Sequence, residues 1–258
     1  MTRRTLLLAA PLVTRLLRAQ DTRPGLSIMW TTGRAVPAEF ARESVVFTRA
    51  YAGCPDAERS RSVLEHGRFA HALRPTDPSA ASFFGTGAST NTITVLTAGS
   101  ADGGDSAFNS SVHVPLAILW PGRLTPRVDR DLLISHVDIL PTLLGMAGIA
   151  APVGLQGRNH SARVLTGRGA LADSIYAQGR IGTAGEWRMA LRGFDKIVWN
   201  LRDEVTGLYN LADDPNEFVN LAGQRAHELT QDSLMALARQ WTQRLEDGID
   251  PSGLRLRR

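Results

Sequence analysis

The side chains able to do chemistry crowd into one short stretch. Residues 54–69 read CPDAERSRSVLEHGRF and bring together the only cysteine, Cys54, with Ser60, Arg61 and His66. The stretch follows an apolar run, Val45-Val46-Phe47, and reads as the opening of a helix. Ser60 is the expected N-cap, Leu64 lies on the inner face, and Gly67 closes the last turn. A strand that feeds a helix N-terminus is a natural place to handle anions, because unpaired N–H groups and the helix dipole converge there. Elsewhere the chemistry is sparse. With one cysteine, no intrachain disulfide and no cysteine-based metal cluster can form. Lys196 is the only lysine, so a mechanism that needs an amine has one candidate. Asp102 and Asp105 sit in a Gly/Ser/Asp-rich loop, where aspartate ordinarily shapes turns but could be drafted as acid, base or ligand.

These residues need elements to position them. Leu26–Thr32 reads as a buried strand, 38–44 as a short helix, and 44–51 as a second apolar strand. Thr92–Thr97 is a strand by its β-branched content. Val112–Trp120 is another, ended by the turn Pro121-Gly122. The segments 73–91, 98–111 and 150–169 read as loops. Ser135–Gly148 is a helix with Asp138 as N-cap, Pro141 in its first turn, and an apolar stripe of Leu140, Leu143, Leu144 and Ala147. From Asp173 the pattern changes to short strands at 174–178, 187–192, 196–200 and 208–211 with turn residues between them. This predicts a small antiparallel sheet. A last helix runs from about Arg225 to Asp247, with Leu234, Leu237, Trp241 and Leu245 on one face and Gly248 and Pro251 ending it. The tail 254–258 is expected to fray.

The 258 residues are 43% hydrophobic and 21% charged, which suits one globular domain with a small appendage. The formal charge is +4, but Arg3, Arg4, Arg15 and Arg18 supply all of it. Without them the balance is 4 − 4 = 0, so the basic pI is no argument for a nucleic-acid partner. Residues 1–20 have the layout of a secretory signal: Arg3-Arg4, an apolar Leu6–Val13, and a small residue at Ala19. The arginine pair resembles a twin-arginine signal. An exported protein, periplasmic or secreted, is expected. No run of about 18 apolar residues is present to span a membrane.

In series, these pieces resemble the formylglycine-dependent sulfatases of the alkaline-phosphatase superfamily. Arg23-Pro24 before a strand, and Phe40–Tyr51, resemble the family's opening. Ser60-Arg61, Leu64 and Gly67-Arg68 match the tail of its C-x-P-S-R-x-x-L-x-x-G-R signature. Val114–Gly122 and Ser135–Gly148 match core segments. Gly154–Arg158 matches its GLQGR turn, and 207–221 matches its ending, ELYDL followed by DPxExxNL. The resemblance implies a mixed α/β sheet with flanking helices. Here it is truncated in the middle, since only 69–91 separates the signature helix from the next core strand, and it is followed by a small C-terminal antiparallel sheet and helix. The expected organisation is a signal at 1–20, a truncated core at 21–170, and the C-terminal sheet and closing helix at 171–258.

The resemblance also implies a chemistry: a cysteine oxidised to formylglycine attacks sulfur, a Ca²⁺ held by carboxylates binds the sulfate oxygens, and Lys and His groups neutralise charge. The nucleophile position, four residues before Arg61, is Ala57. Cys54 does not fit a shifted register, because Asp56 and Glu58 fall where Pro and Arg are needed; it reads as a small half-buried thiol. The metal positions fall at Thr32, Gly33, Ala98 and Gly99, none of which has a carboxylate, so no cofactor is expected. The family's lysine before the YEGGVRVP segment has no counterpart, and Lys196 reads as an exposed strand residue. His66 and His113 are remote candidates for a site role. His136 is expected to cap or pack, and His160 and His227 to lie in a loop and on the surface. Arg61 is retained and could bind an anion, or simply pair with Glu58 or Glu65. The expectation is therefore a sulfatase-like protein without sulfatase activity. Alternatives are a module that binds a sulfated small molecule or glycan through Arg61, a hydrolase using Asp102, Asp105 and histidines, or a decayed reading frame.

Overall fold

A computed structural model describes residues 23–85 and 91–247. The expected signal at 1–20, the frayed tail, and the helix stops at Gly248 and Pro251 lie outside them. The chain opens with strand β1 (Gly25–Trp30), a helical turn α1 (Ala38–Ala41), and two short strands, β2 (Val45–Phe47) and β3 (Ala50–Tyr51). The single strand expected over 44–51 is thus broken at Thr48-Arg49. Helix α2 (Ala57–His66) follows, then strand β4 (Thr92–Thr97). The strand expected at 112–120 is instead a helical turn α3 (Asn109–Val112) and strand β5 (Leu116–Leu119). Strands β6 (Arg127–Asp129) and β7 (Ile134–Ser135) and helix α5 (Ser161–Thr166), which follows α4 (Ile139–Ala147), were not legible. Each is short, and β6 and β7 exist only through parallel pairing with β2 and β3. The C-terminal part is β8 (Ser174–Gly179), β9 (Trp187–Arg192), β10 (Asp195–Asn200), β11 (Val205–Asn210) and α6 (Glu228–Leu245).

The main sheet has the order β1-β4-β5-β2-β6 and is mixed: β1 runs parallel to β4, while β5 is antiparallel to both β4 and β2. The second sheet is the expected antiparallel meander, β11-β10-β9-β8. Helix α4 presents Leu140, Leu143 and Leu144 to the core beneath the main sheet, together with Val95, Ile118 and Leu64. A second apolar cluster joins the parts: Val63 and Phe69 from α2 and its exit pack with Tyr176, Trp199 and the Leu234, Leu237 and Trp241 face of α6. Helix α6 ends at Leu245, with Glu246 in the left-handed conformation (φ 51°).

Two caps differ from expectation. The N-cap of α2 is Asp56, whose carboxylate accepts the Arg59 N–H at 2.8 Å. Ser60 lies one turn inside the helix and is fully buried. Asp138 holds the N-cap position of α4 as expected, but its carboxylate makes no capping bond to that helix. Its buried carboxylate accepts the N–H groups of Ser135 (2.9 Å) and Arg158 (2.7 Å) and so ties the start of α4 to the GLQGR turn. That turn wraps the end of α2, where Gly67 takes the expected left-handed conformation at φ 61°. The Gln156 N–H donates to the Gly67 carbonyl at 2.9 Å, and its side-chain oxygen accepts the Phe69 N–H at 2.8 Å.

Lys196 is the clearest departure from the sequence reading. It is fully buried on β10, not exposed. Its ammonium donates to Glu217 Oε1 (2.5 Å) and to the Ala107 carbonyl, while Glu217 Oε2 accepts the Asn109 N–H. Desolvation pulls the Lys196 pKa down, and Glu217 opposes the shift. His160 is likewise buried, against the surface position expected of it.

Candidate functional site

Strands β1 and β4 run parallel and end on the same side of the sheet, where α2 begins. A crevice beyond the carboxyl ends of parallel strands is where open α/β sheets place ligands. Here it is an open cleft of about 590 Å³. Trp30, Thr31 and Thr32 form one wall, Asp56, Ala57 and Arg61 of α2 the second, and Gly99–Asp102 with Asp105 the third. Six of the positions singled out from the sequence, Thr32, Ala57, Arg61, Gly99, Asp102 and Asp105, therefore meet in one cavity. Gly33 lies in the exposed turn after β1, its N–H held by Thr31 Oγ1 at 3.0 Å. Ala98 is buried among Ala52, Ala101 and Val114.

Ala57 is the first residue of α2, at the mouth of the helix dipole. Gly99 runs so close to it that a Cβ added at 99 would lie 2.9 Å from Ala57 Cα. Arg61 pairs with neither Glu58 nor Glu65. Its guanidinium lies over the Trp30 ring, 5.1 Å from the centroid, and no carboxylate among the described residues holds it. The cleft as a whole favours cations over anions. Its charged lining is Arg61 against Asp56, Asp102 and Asp105, a balance of 1 − 3 = −2. Asp56 also occupies the helix terminus as its cap, so an anion would meet a carboxylate there.

Could these carboxylates hold the calcium that the resemblance implies? Asp102 is already a turn anchor. It accepts the Gly104 N–H at 2.8 Å and the hydroxyls of Ser100 (3.2 Å) and Ser111 (3.0 Å). Burial would raise its pKa, but these donors outweigh that and hold it below the usual carboxylate range. Asp105 accepts the Arg180 N–H at 3.1 Å. Among the described residues no three His, Cys, Asp or Glu side chains converge on one point. The donor set does not fit a divalent ion, and no step is routed through one.

Behind the cleft lies a cluster that the sequence did not reveal. His136 Nδ1 is 2.8 Å from Ser60 Oγ, and its Nε2 is 2.9 Å from Thr97 Oγ1. The Thr97 hydroxyl donates to the Pro115 carbonyl, so it accepts from His136 Nε2–H, and Nδ1 accepts the Ser60 proton. This is a serine–histidine pair of hydrolase type, but both residues are sealed from the cleft. It fastens α2 to β4. Burial pushes the His136 pKa down to about 3. A folded-state pKa below the unfolded value of about 6.5 means that the unfolded chain binds more protons, so stability falls as pH drops from about 6.5 towards 3. The melting temperature should fall between pH 7 and pH 4, and His136→Gln should flatten that fall; equal slopes in the two proteins would remove His136 as its cause.

The remaining candidates lie elsewhere. Cys54 is fully buried, and burial raises its pKa to about 12, so it is an inert thiol. His66 Nδ1 bonds the Ser62 carbonyl within α2, and His113 Nε2 bonds the Thr48 carbonyl. Neither lines the cleft. Lys196, the only amine candidate, is spent on Glu217.

The family model for the C-terminal part of N-sulphoglucosamine sulphohydrolase matches residues 105–244. The endo-4-O-sulfatase of Bacteroides thetaiotaomicron is 44% identical over 57 residues, 21% of this chain and 11% of its own length. Arylsulfatase K of Xenopus laevis is 28% identical over 135 residues, 46% of this chain and 24% of that protein. The chain thus spans a quarter or less of these curated relatives. Among solved structures, a putative sulfatase from Bacteroides thetaiotaomicron superposes with a TM-score of 0.73 at 16% identity, covering 87% of this chain and 93% of that one. A 2-O GAG sulfatase gives 0.72 with the same identity and coverage. At such identity these two likenesses speak to fold alone. The family match covers more than half the chain: the chain belongs to the sulfatase family.

Proposed function

We propose that this protein is an exported sulfatase-family member that does not hydrolyse sulfate esters. The observation that carries this reading is Ala57. The residue that begins α2 and faces the cleft has no atom able to attack sulfur or to be oxidised to a nucleophile. Loss of a covalent nucleophile together with a metal removes most of the rate enhancement of such an enzyme. Three further features support it: the neutral residues at Thr32, Gly33, Ala98 and Gly99, the buried and paired Lys196, and an Asp102 already engaged by its own loop. Binding of a sulfated glycan through Arg61 ranks below this reading, since the cleft carries three carboxylates. The test is hydrolysis of an aryl sulfate by the purified chain with added Ca²⁺. The expected result is a rate equal to that of a heat-inactivated sample, and sustained turnover above it would overturn the proposal.

A further inference from the structure

Every sheet edge exposes backbone N–H and C=O groups that must find partners or face water. Three of the four edges in the two main sheets are closed. The β6 edge is three residues long and two of them are charged, Arg127 and Asp129, with Arg163 gripping Asp129 at 2.6 and 2.9 Å. The β8 edge is buried along its length and donates its Gln178 N–H to the Gly53 carbonyl at 3.1 Å. The β11 edge is sealed by the chain's own ending: Asn220 Oδ1 accepts the Leu208 N–H at 3.0 Å, and the Leu221 N–H donates to the Leu208 carbonyl at 2.8 Å.

The β1 edge is different. Gly25 and Thr31 donate their N–H groups to the carbonyls of Asn91 and Thr97, both at 2.8 Å, so the odd residues of β1 face β4. The even residues face away. Among the described residues, Gly85 closes only the first position, donating to the Pro24 carbonyl at 3.0 Å and bridging Gly25. Ile28 and Trp30 therefore direct N–H and C=O outward, with no partner among the described residues. The strand reads GLSIMW, without a charge, a proline or a bulge, the devices that usually blunt an edge. Met29 on its outer face is 47% exposed.

We propose that β1 pairs antiparallel with β1 of a second copy about a two-fold axis at Met29. The strand is its own complement. Aligned on Met29, Ile28 of one copy faces Trp30 of the other, and their outward N–H and C=O groups close four hydrogen bonds. No charge in either strand opposes its twin. The two Met29 side chains meet as a non-hydrogen-bonded pair, whose Cα atoms lie about 4.5 Å apart. The main sheet becomes continuous across both copies. Because Trp30 and Thr32 line the cleft, the two clefts flank the axis.

The test is sedimentation equilibrium on the full chain at tens of micromolar. The expected mass is twice the 28.0 kDa of one chain. A single-chain mass overturns the proposal. Met29→Lys and Met29→Glu should each give single chains with an unchanged circular-dichroism spectrum, and mixing them should restore a dimer that contains one of each. A Lys variant that stays dimeric places the contact elsewhere and also overturns it. Hydrogen exchange on the unaltered protein needs no variant: the Ile28 and Trp30 amides should be protected when concentrated and exchange freely on dilution, and rates independent of concentration refute the pairing.

Discussion

Lys196→Ala should lower the melting temperature by about 10 °C. The substitution leaves the Glu217 carboxylate buried beneath Tyr209 and α3 without its cation. Removing one partner of a buried ion pair costs roughly 3–5 kcal/mol, and a domain of this size loses about 2–4 °C per kcal/mol. The pair also joins four segments: β10 through Lys196, the loop before α3 through the Ala107 carbonyl, the start of α3 through the Asn109 N–H, and the Asp214–Glu217 turn through Glu217 itself. Exchanging both partners for apolar residues, Lys196→Met with Glu217→Leu, should recover most of the loss, because the uncompensated charge is gone. It should not recover all of it, since the Asn109 N–H and the Ala107 carbonyl stay unpaired. Calorimetry of the single and double variants checks both statements. A single variant that melts with the unaltered protein would show the pair to be energetically idle.

Gly157→Ala should be at least as damaging, with an expected loss of about 4 kcal/mol or more. A Cβ on Gly157 would overlap the Val137 carbonyl and press on Asp138 Cα at 2.9 Å. These are backbone atoms, so no side chain can swing aside. The Val137 carbonyl cannot retreat easily either, because His136 beside it is held between Ser60 and Thr97. Gly154→Ala, three residues earlier, is the informative control. Its φ of 91° penalises alanine by about 1–3 kcal/mol, but the nearest atom is the end of the flexible Arg68 side chain. Urea unfolding should rank the two losses in that order. The reverse order would mean that the close packing of the GLQGR turn is not what its second glycine provides.

The C-terminal sheet was legible because its strands are bounded by glycine and aspartate turns and carry apolar side chains within a strand's reach. Helix α4 was legible from its leucine stripe. The cap of α2 was not. Asp56 and Ser60 are both good capping types, and the choice is made by His136, which claims the Ser60 hydroxyl from 76 positions away. Lys196 was misread for a similar reason: strand composition says nothing about a carboxylate that returns 21 positions later. Strands β6 and β7 are too short to announce themselves and depend on partners brought in by the fold. The cleft was legible as a set of positions, since Thr32, Ala57, Arg61 and Gly99 line one cavity. Asp102 and Asp105 are legible as candidates too, but their place beside Asp56 in the cleft is set by loop geometry rather than by any regular pattern.

The burial of Lys196 reaches beyond stability. It is the only ε-amine in the chain, and Cys54 is the only thiol, and both have no accessible surface in the fold. The folded region described here therefore shows neither of the two nucleophiles that common labelling reagents seek. Each becomes reactive only when its own neighbourhood opens: Cys54 when the layer beneath α2 parts, Lys196 when β10 separates from the Ala107 loop and the Glu217 turn. The molecule thus carries two built-in reporters of partial unfolding, placed in different layers and read by different reagents.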